Sequence, residues 1–270
     1  MTTDDISAES PETGDDKVAL IEFKDVGKQY GNIIALKGIN LRVFPGEVTC
    51  VLGDNGAGKS TLIKTMAGLH KPSEGEVLVD GVATTLDSPK DALEKGIATV
   101  YQDLAVVGLM PVWRNFFLGQ ELRSGFLKSL DVQTMRATTK EELFKMGIDL
   151  PDVDAPISSL SGGQRQCVAI ARAIYFGARV LILDEPTAAL GVKQSGMVLR
   201  YITAARDQGF GVVFITHNPH HAYMVGDHFV LLNRGRQKLD CTYDEISLDE
   251  LTSQMAGGDE LETLSHELRR

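Results

Sequence analysis

The sequence lacks any long apolar segment and has few residues that cross-link or anchor a chain. No apolar run in its 270 residues approaches the roughly 20 residues that a membrane-spanning helix needs. The first residues have neither the basic nor the apolar region of a signal peptide.

The length supports one large α/β domain with a smaller helical subdomain. Only three cysteines are present, and their spacing fits neither a metal site nor a redox pair, which predicts a reducing compartment; they are Cys50, Cys167 and Cys241.

Basic residues are scarce at both ends of the chain, although its middle is nearly balanced. Residues 1–16 hold six acidic residues and no basic one, and residues 240–270 hold nine acidic residues and two arginines. These ends account for the net charge of −10 and argue against a nucleic-acid-binding arm, so we expect no nucleic-acid partner. We predict a disordered acidic leader over residues 1–17 and an acidic, helical C-terminal tail over residues 241–270.

A glycine-rich loop lies between a predicted strand and a predicted helix. Val48–Leu52 is a short apolar run typical of a buried strand, and the helix is predicted over residues 59–67. Glycines between them let backbone N–H groups turn towards phosphate oxygens, and the helix dipole favours the same anion. Lys59 adds charge towards the β- and γ-phosphates, and Ser60 offers a hydroxyl to Mg²⁺. A chance glycine-rich turn is the alternative to a nucleotide site formed by Gly53, Asp54, Asn55, Gly56, Ala57, Gly58, Lys59, Ser60 and Thr61.

A second buried strand is predicted over residues 179–183 and ends in two acidic residues. An acid at the carboxyl end of a parallel strand, beside a phosphate loop, suits Mg²⁺, and this is the role predicted for Asp184. The adjacent Glu185 is placed to polarise the water that attacks the phosphate. A solvated helix start is the alternative, because a proline and a threonine follow.

A third motif, Leu-Ser-Gly-Gly-Gln at residues 160–164, begins a helix that is predicted to stop at Gly177. The serine is a natural N-cap, and a capped helix start is the alternative to any functional role. Its hydroxyl, the N–H groups exposed by the glycines and the helix dipole also suit a γ-phosphate. One chain can hardly fold both motifs onto the same phosphate. We therefore predict a two-fold dimer in which each partner's site is completed by Ser161, Gly162, Gly163 and Gln164.

In this order, the three motifs resemble those of the ATP-binding subunits of ABC transporters. The resemblance covers roughly residues 18–240 and implies an α/β fold: a P-loop NTPase core with a parallel sheet, an antiparallel β subdomain, and a helical subdomain inserted at about residues 103–178. It implies ATP and Mg²⁺ as cofactors. It further implies that Tyr30 stacks on adenine, that Gln102 reaches Mg²⁺ and the water, and that His217 contacts the γ-phosphate. Without the other motifs these three would be a half-buried strand residue, a polar loop residue and a strand-end histidine.

Two segments resemble more narrowly the ATPases of ribose-, xylose- and fructose-type sugar importers. Residues 88–92 read Ser-Pro-Lys-Asp-Ala, and residues 188–191 read Ala-Ala-Leu-Gly where the family usually carries Ser-Ala-Leu-Asp. Gly191 thus replaces an acid that normally helps two protomers communicate. Because the chain has one phosphate loop and one Ser161 motif, it resembles the single-domain, fructose-type members.

The resemblance implies an ATP-hydrolysing subunit that powers uptake of a monosaccharide. Its partners would be a second copy of itself, an integral membrane permease and, indirectly, a sugar-binding protein. Its place would be peripheral, on the cytoplasmic face of the cell membrane. The alternatives are an ABC-type ATPase outside transport and a nucleotide-dependent regulatory module. Residues 110–118 hold the only tryptophan. They are interpreted as a buried helix start or, by the resemblance, as part of the groove that receives the permease, and both can hold if one face packs inwards and the other serves the partner.

Overall fold

The computed structural model describes residues 18–256. The predicted leader over residues 1–17 and the last part of the predicted tail, residues 257–270, lie outside the described residues. In chain order the strands and helices are β1 (Ile21–Tyr30), β2 (Ile33–Val43), β3 (Val48–Leu52), α1 (Lys59–Met66), β4 (Glu74–Val79), β5 (Val82–Ala83), α2 (Pro89–Glu94), β6 (Ile97–Val100), α3 (Val112–Phe116), β7 (Arg123–Ser124), β8 (Ser129–Leu130), α4 (Val132–Lys145), α5 (Gly162–Tyr175), β9 (Val180–Asp184), α6 (Val192–Asp207), β10 (Gly211–Thr216), α7 (Pro219–Val225), β11 (His228–Asn233), β12 (Arg236–Thr242) and α8 (Leu248–Met255).

A six-stranded sheet forms the centre of the molecule, with the strand order β12-β11-β3-β10-β9-β6. Its neighbouring strands run parallel except for the antiparallel pair β11–β12. β3 and β10 are buried over their whole length, as expected for a parallel sheet that is covered on both faces. Because the carboxyl ends of parallel strands meet at one edge, the residues that follow β3, β6, β9 and β10 are brought together there.

The strands predicted from apolar runs are present. β3 has the predicted bounds, and β9 begins and ends one residue later than predicted. The helices predicted after the glycine-rich loop and after Ser161 are α1 and α5.

A second sheet of four antiparallel strands, in the order β2-β1-β4-β5, covers one face of the central sheet. Phe23 and Ile39 from this sheet pack with α1 against Val51 of β3. The neighbouring residues of β3, Cys50 and Leu52, belong to the core on the other face, which the helices cover. This alternation follows from the two-residue period of a strand, and it makes β3 the element shared by both cores.

Helices α3, α4 and α5 and the hairpin β7–β8 lie within the segment predicted as the helical subdomain, about residues 103–178. The buried Asn115 ties the loop after β6 to α3. Its amide oxygen accepts a hydrogen bond from the N–H of Val107 at 2.8 Å, and its amide nitrogen donates to the carbonyl of Met110 at 3.0 Å. The start of the subdomain is therefore held by one amide side chain.

The aromatic side chains of residues 110–118 point inwards. Trp113 is 7% exposed, and Phe116 and Phe117 are fully buried. The indole nitrogen of Trp113 donates to Oδ1 of Asp154 at 2.9 Å. The buried helix start therefore accounts for the aromatic residues of this segment, whereas Arg114 lies on the surface.

The described part of the predicted C-terminal tail contains α8, which packs through the buried Leu251. Within residues 18–256, each helix is too short or too polar to cross a bilayer.

Candidate functional site

The glycine-rich loop joins the end of β3 to the start of α1, and two of its positions do not accept a residue with a side chain. Gly53 has φ +149°, and a Cβ there would lie 2.5 Å from the carbonyl oxygen of Leu232. Gly58 has φ +108°, and a Cβ there would lie 2.9 Å from Cδ2 of Leu36. No side chain caps α1, so its first N–H groups stay available to an anion. The loop is thus shaped as a backbone cradle that side chains would fill.

Lys59 is the buried cation of this loop. Its Nζ donates hydrogen bonds to the carbonyl oxygens of Gly53 and, at 3.3 Å, of Asp54. The same nitrogen lies 3.6 Å from Oε1 of Glu185, and both side chains are about nine-tenths buried. The ion pair connects the loop after β3 with the end of β9, and it places a positive charge where phosphate oxygens would lie.

The two acidic residues at the end of β9 differ in their surroundings. Burial raises the pKa of Asp184, the charge of Glu185 raises it further, and Lys59 acts in the opposite direction. Glu185 pairs with Lys59 through one carboxylate oxygen, and its Oε2 lies 2.9 Å from Nδ1 of His217. Its backbone has φ +48°, a conformation that costs roughly 1–3 kcal/mol and is typical of functional sites.

One cleft of about 710 Å³ collects these groups at the carboxyl edge of the central sheet. Ile33, Ile34 and Ala35 of β2 form an apolar part of its wall. The predicted residues that line it come from the phosphate loop, from the ends of β6 and β9 and from the residue after β10; they are Asp54, Asn55, Gly56, Gly58, Lys59, Ser60, Thr61, Gln102, Asp184, Glu185 and His217.

Other predicted residues lie outside that lining. Gly53 and Ala57 line a smaller pocket behind the loop, beside the end of α8. Tyr30, at the end of β1, packs edge-on against His70 with 5.4 Å between the ring centres. The residues of the Ser161 motif lie at the start of α5 and do not contribute to the cleft of their own chain.

Ser161 caps α5 within its own chain. Its hydroxyl accepts a hydrogen bond from the N–H of Gln164 at 3.3 Å, and the Gln164 side chain accepts one from the N–H of Ser161 at 2.9 Å. The following glycines allow α5 to pack closely on the start of α6. A Cβ at Gly162 would lie 2.7 Å from Cδ2 of Leu190, and a Cβ at Gly163 would lie 3.2 Å from the carbonyl oxygen of Gln194.

The residues of the cleft fit Mg²⁺ and nucleotide phosphates. Mg²⁺ is usually held by one or two carboxylates together with substrate phosphates. Among residues 18–256, no cluster of three or more His, Cys, Asp or Glu side chains forms a complete metal site. The donors at this edge are instead one half-buried carboxylate, one hydroxyl and one amide oxygen, and they leave room for phosphate oxygens; they belong to Asp184, Ser60 and Gln102.

Sequence reasoning missed two features of the site. Thr187 and His221 form a hydrogen bond beside Glu185, at 3.0 Å between Oγ1 and Nδ1. The only signal for His221 was its position four residues after His217. The packing of Gly162 and Gly163 on α6 was also missed, because the motif indicated bare N–H groups and not a helix contact.

A family model described as "ABC transporter" matches residues 36–188, which hold the loop, the acidic pair and the Ser161 motif. The chain belongs to the ABC transporter family. Two curated members align over nearly their whole length. The xylose/arabinose import ATP-binding protein of Sulfolobus acidocaldarius is 41% identical, covering 87% of this chain and 93% of that protein. The fructose import ATP-binding protein of Rhizobium meliloti is 38% identical, covering 89% and 95%.

Other relatives include longer proteins and proteins whose structures have been solved. The chain spans about half the length of the ribose import ATP-binding protein of Bacillus subtilis, with 35% identity over 88% of this chain and 48% of that protein. A dimeric bacterial ABC transporter cassette superposes with a TM-score of 0.69 at 29% identity, covering 83% of this chain and 98% of that one. The predicted family, the predicted α/β P-loop fold and the prediction of a transport-coupled ATPase are confirmed.

Proposed function

We propose that this ABC subunit hydrolyses ATP in the cleft at the carboxyl edge of the central sheet and thereby powers uptake of a monosaccharide. The observation that carries the proposal is the chain of contacts from Lys59 through Glu185 to His217 beside the phosphate loop. The sugar class is supported by relatives named for import of xylose or arabinose, fructose and ribose. These relatives support an importer and not a regulatory module.

In this proposal the phosphate loop and Lys59 hold the β- and γ-phosphates. The Lys59 amine would exchange its bonds to loop carbonyls for bonds to phosphate oxygens. Ser60, Asp184 and Gln102 would hold Mg²⁺, which supplies positive charge to the phosphate oxygens. Glu185 accepts a hydrogen bond from the attacking water and orients it. His217 keeps the Glu185 carboxylate in place through the 2.9 Å contact.

The adenine would lie at the end of the cleft formed by the hairpin β1–β2. Tyr30 is 40% exposed there, and Ile33 and Ile34 are 70% and 56% exposed. Exposed aliphatic side chains that line a cleft offer a flat base the apolar contact that it needs. We propose that Tyr30 stacks on the base while the two isoleucines contact its other edges.

We propose that two copies share two ATP molecules. The Ser161 motif caps α5 but does not reach the cleft of its own chain. A second copy related by a two-fold axis would bring this helix start to the γ-phosphate. The 29% identical cassette described as dimeric supports this arrangement. ATP held between the copies binds the closed pair more tightly than the separated copies. A transport cycle requires such a difference in affinity between two states.

The permease would dock in an apolar groove of about 270 Å³ next to Gln102. The groove lies between α2 and α5 and is lined by the loop after β6, including Leu104, Ala105 and Val106. Within residues 110–118 it is Asn115, and not an aromatic residue, that lines it. Because this loop begins at Gln102, a partner in the groove would bias the position of Gln102 in the cleft. The subunit would then sit peripherally, on the cytoplasmic face of the membrane.

The decisive experiment is reconstitution in vesicles with the candidate permease and its sugar-binding protein. We expect ATP hydrolysis to rise several-fold with one monosaccharide and sugar to accumulate inside the vesicles. Full ATPase activity that never responds to a permease or to any sugar would contradict the transport role. It would favour an ATPase outside transport.

A further inference from the structure

His221 lies in the first turn of α7, and its side chain contacts the segment that follows the acidic pair. Its Nδ1 is 3.0 Å from Oγ1 of Thr187, a residue only 6% exposed. The two residues are 34 positions apart. The hydrogen bond therefore joins two elements, the start of α7 and the turn after β9.

Thr187 belongs to the same tight turn as Glu185. The N–H of Ala188 donates to the carbonyl of Glu185 at 3.0 Å, which closes the turn around Thr187. Glu185 has a positive φ, and its N–H donates to the carbonyl of Ile215 at 3.0 Å. A displacement of Thr187 would rotate a backbone that is already strained, and it would move the Glu185 carboxylate with it.

The chain around α7 holds this turn at both ends. His217 contacts the Glu185 carboxylate, and four residues later His221 contacts Thr187. Asn218 fixes the spacing of the two histidines. Its N–H donates to Oγ1 of Thr216 at 3.1 Å, and its side chain caps α7 by accepting from the N–H of His221 at 3.2 Å.

We propose that His221 is a positioning residue for hydrolysis: it holds the Glu185 turn through Thr187 and couples it to the segment that carries His217. The proposal rests on the proposed role of Glu185. Burial, together with His220 and His217, lowers the pKa of His221, so a neutral imidazole faces the threonine hydroxyl. A general base must be aligned closely with its water, and a misplacement of about 1 Å can cost on the order of a hundredfold in rate.

The test compares kcat and KM for ATP in four variants of the full chain. His221→Ala and Thr187→Val should each lower kcat about tenfold and leave the KM for ATP within about twofold, because the phosphate loop is unchanged. His221→Asn should restore most of kcat, since its amide nitrogen can occupy the place of Nδ1. The double variant His221→Ala/Thr187→Val should have a kcat only slightly lower than that of either single variant, because the two side chains are partners in one interaction.

The neighbouring His220 provides a matched control. It is exposed, and its side chain makes no hydrogen bond within the described part of the chain. His220→Ala should keep the wild-type kcat. A His221→Ala protein that melts earlier but keeps the wild-type kcat below its transition would overturn the proposal. So would a Thr187→Val protein with full activity, even where His221→Ala fails to fold.

Glu185→Gln separates this proposal from the proposed function. If Glu185→Gln is inactive while both His221 and Thr187 variants turn over normally, only the positioning role fails. If Glu185→Gln matches the wild type, the assigned chemistry itself is wrong.

Discussion

At the residue scale, the cleft depends on one carboxylate held between a buried cation and an imidazole. Glu185 contacts Lys59 at 3.6 Å and His217 at 2.9 Å, and its backbone is strained. The carboxylate is thus fixed at one place by these two contacts, and it is not needed to bind the phosphates. Binding and hydrolysis should therefore be separable by changing this residue alone.

Glu185→Gln tests that separation. The amide keeps the shape of the side chain but is a poor base, so turnover should fall by on the order of a hundredfold or more. ATP affinity should stay within about threefold, because Lys59 and the loop are unchanged. Single-turnover hydrolysis and equilibrium ATP binding give the two values. Glu141→Gln, on the exposed face of α4, is the control and should behave as the wild type.

The residues of the cleft could be predicted because they follow the ends of buried strands, directly or after the glycine-rich loop. Lys59 begins α1 after the loop that follows β3, Asp184 is the last residue of β9, and His217 directly follows β10, so strand pattern and motif placed them together. The Thr187–His221 contact could not be predicted in this way. Neither residue has a distinctive pattern of its own, and the contact exists only because α7 begins beside the turn after β9.

At the element scale, the start of α6 is where the chain departs from the commonest family sequence. Gly191 is the N-cap of α6, with extended backbone angles and no side-chain cap. A Cβ at this position would meet nothing within 4 Å. Glycine at this position therefore leaves α6 without a side-chain cap and without the negative charge of an acid. It is not required to avoid a steric clash. The sequence alone does not make this distinction, because a glycine is equally compatible with a steric requirement.

Replacing Gly191 should stabilise or destabilise the protein according to capping ability. Gly191→Asp should raise the free energy of unfolding by a few tenths of a kcal/mol, since the carboxylate can accept from the free N–H groups of α6 and favours its dipole. Gly191→Ala should lower it, because alanine is a poor cap. Urea denaturation of both variants measures the difference. If both variants lie on the same side of the wild type, the capping explanation is incorrect.

The strands and helices could be predicted from the sequence, whereas the contacts between them could not. Apolar runs bounded by glycine and proline predicted the ends of β3 and β9 to within one residue. The contact of α5 with α6 was not foreseen. It depends on Gly162 and Gly163 lying against Leu190 and Gln194, a consequence of how the helices cross.

At the scale of the whole molecule, the proposed dimer requires each chain to contribute its cleft to one ATP and its Ser161 motif to the other. Ser161→Arg should leave ATP affinity of the monomer within about twofold but abolish ATP-dependent dimerisation, because bulk and charge enter the shared face. Sedimentation in the Glu185→Gln background, which we expect to bind ATP without hydrolysing it, measures the dimer. Ser247→Arg removes an equivalent N-cap from α8 and controls for lost capping. An ATP-driven dimer that persists in the Ser161→Arg protein would rule out the shared site.

Transport requires that binding of a partner protein affects the nucleotide cleft, and we propose that the partner does so through the groove beside Gln102. Ala105 is exposed on the loop that runs from Gln102 along this groove. Ala105→Asp places a charge in the proposed apolar docking surface, and Ala105 does not line the cleft. The isolated subunit should therefore keep its basal ATPase activity within about twofold, whereas permease-stimulated hydrolysis and sugar uptake should fall by about tenfold or more.

Ala137→Asp is the matched control, because it adds the same charge to the exposed face of α4, away from the groove. It should leave both basal and stimulated activity unchanged. If Ala105→Asp and Ala137→Asp couple equally well to the permease, the groove is not the docking surface. The signal that reaches Gln102 would then have to enter through another face of the helical subdomain.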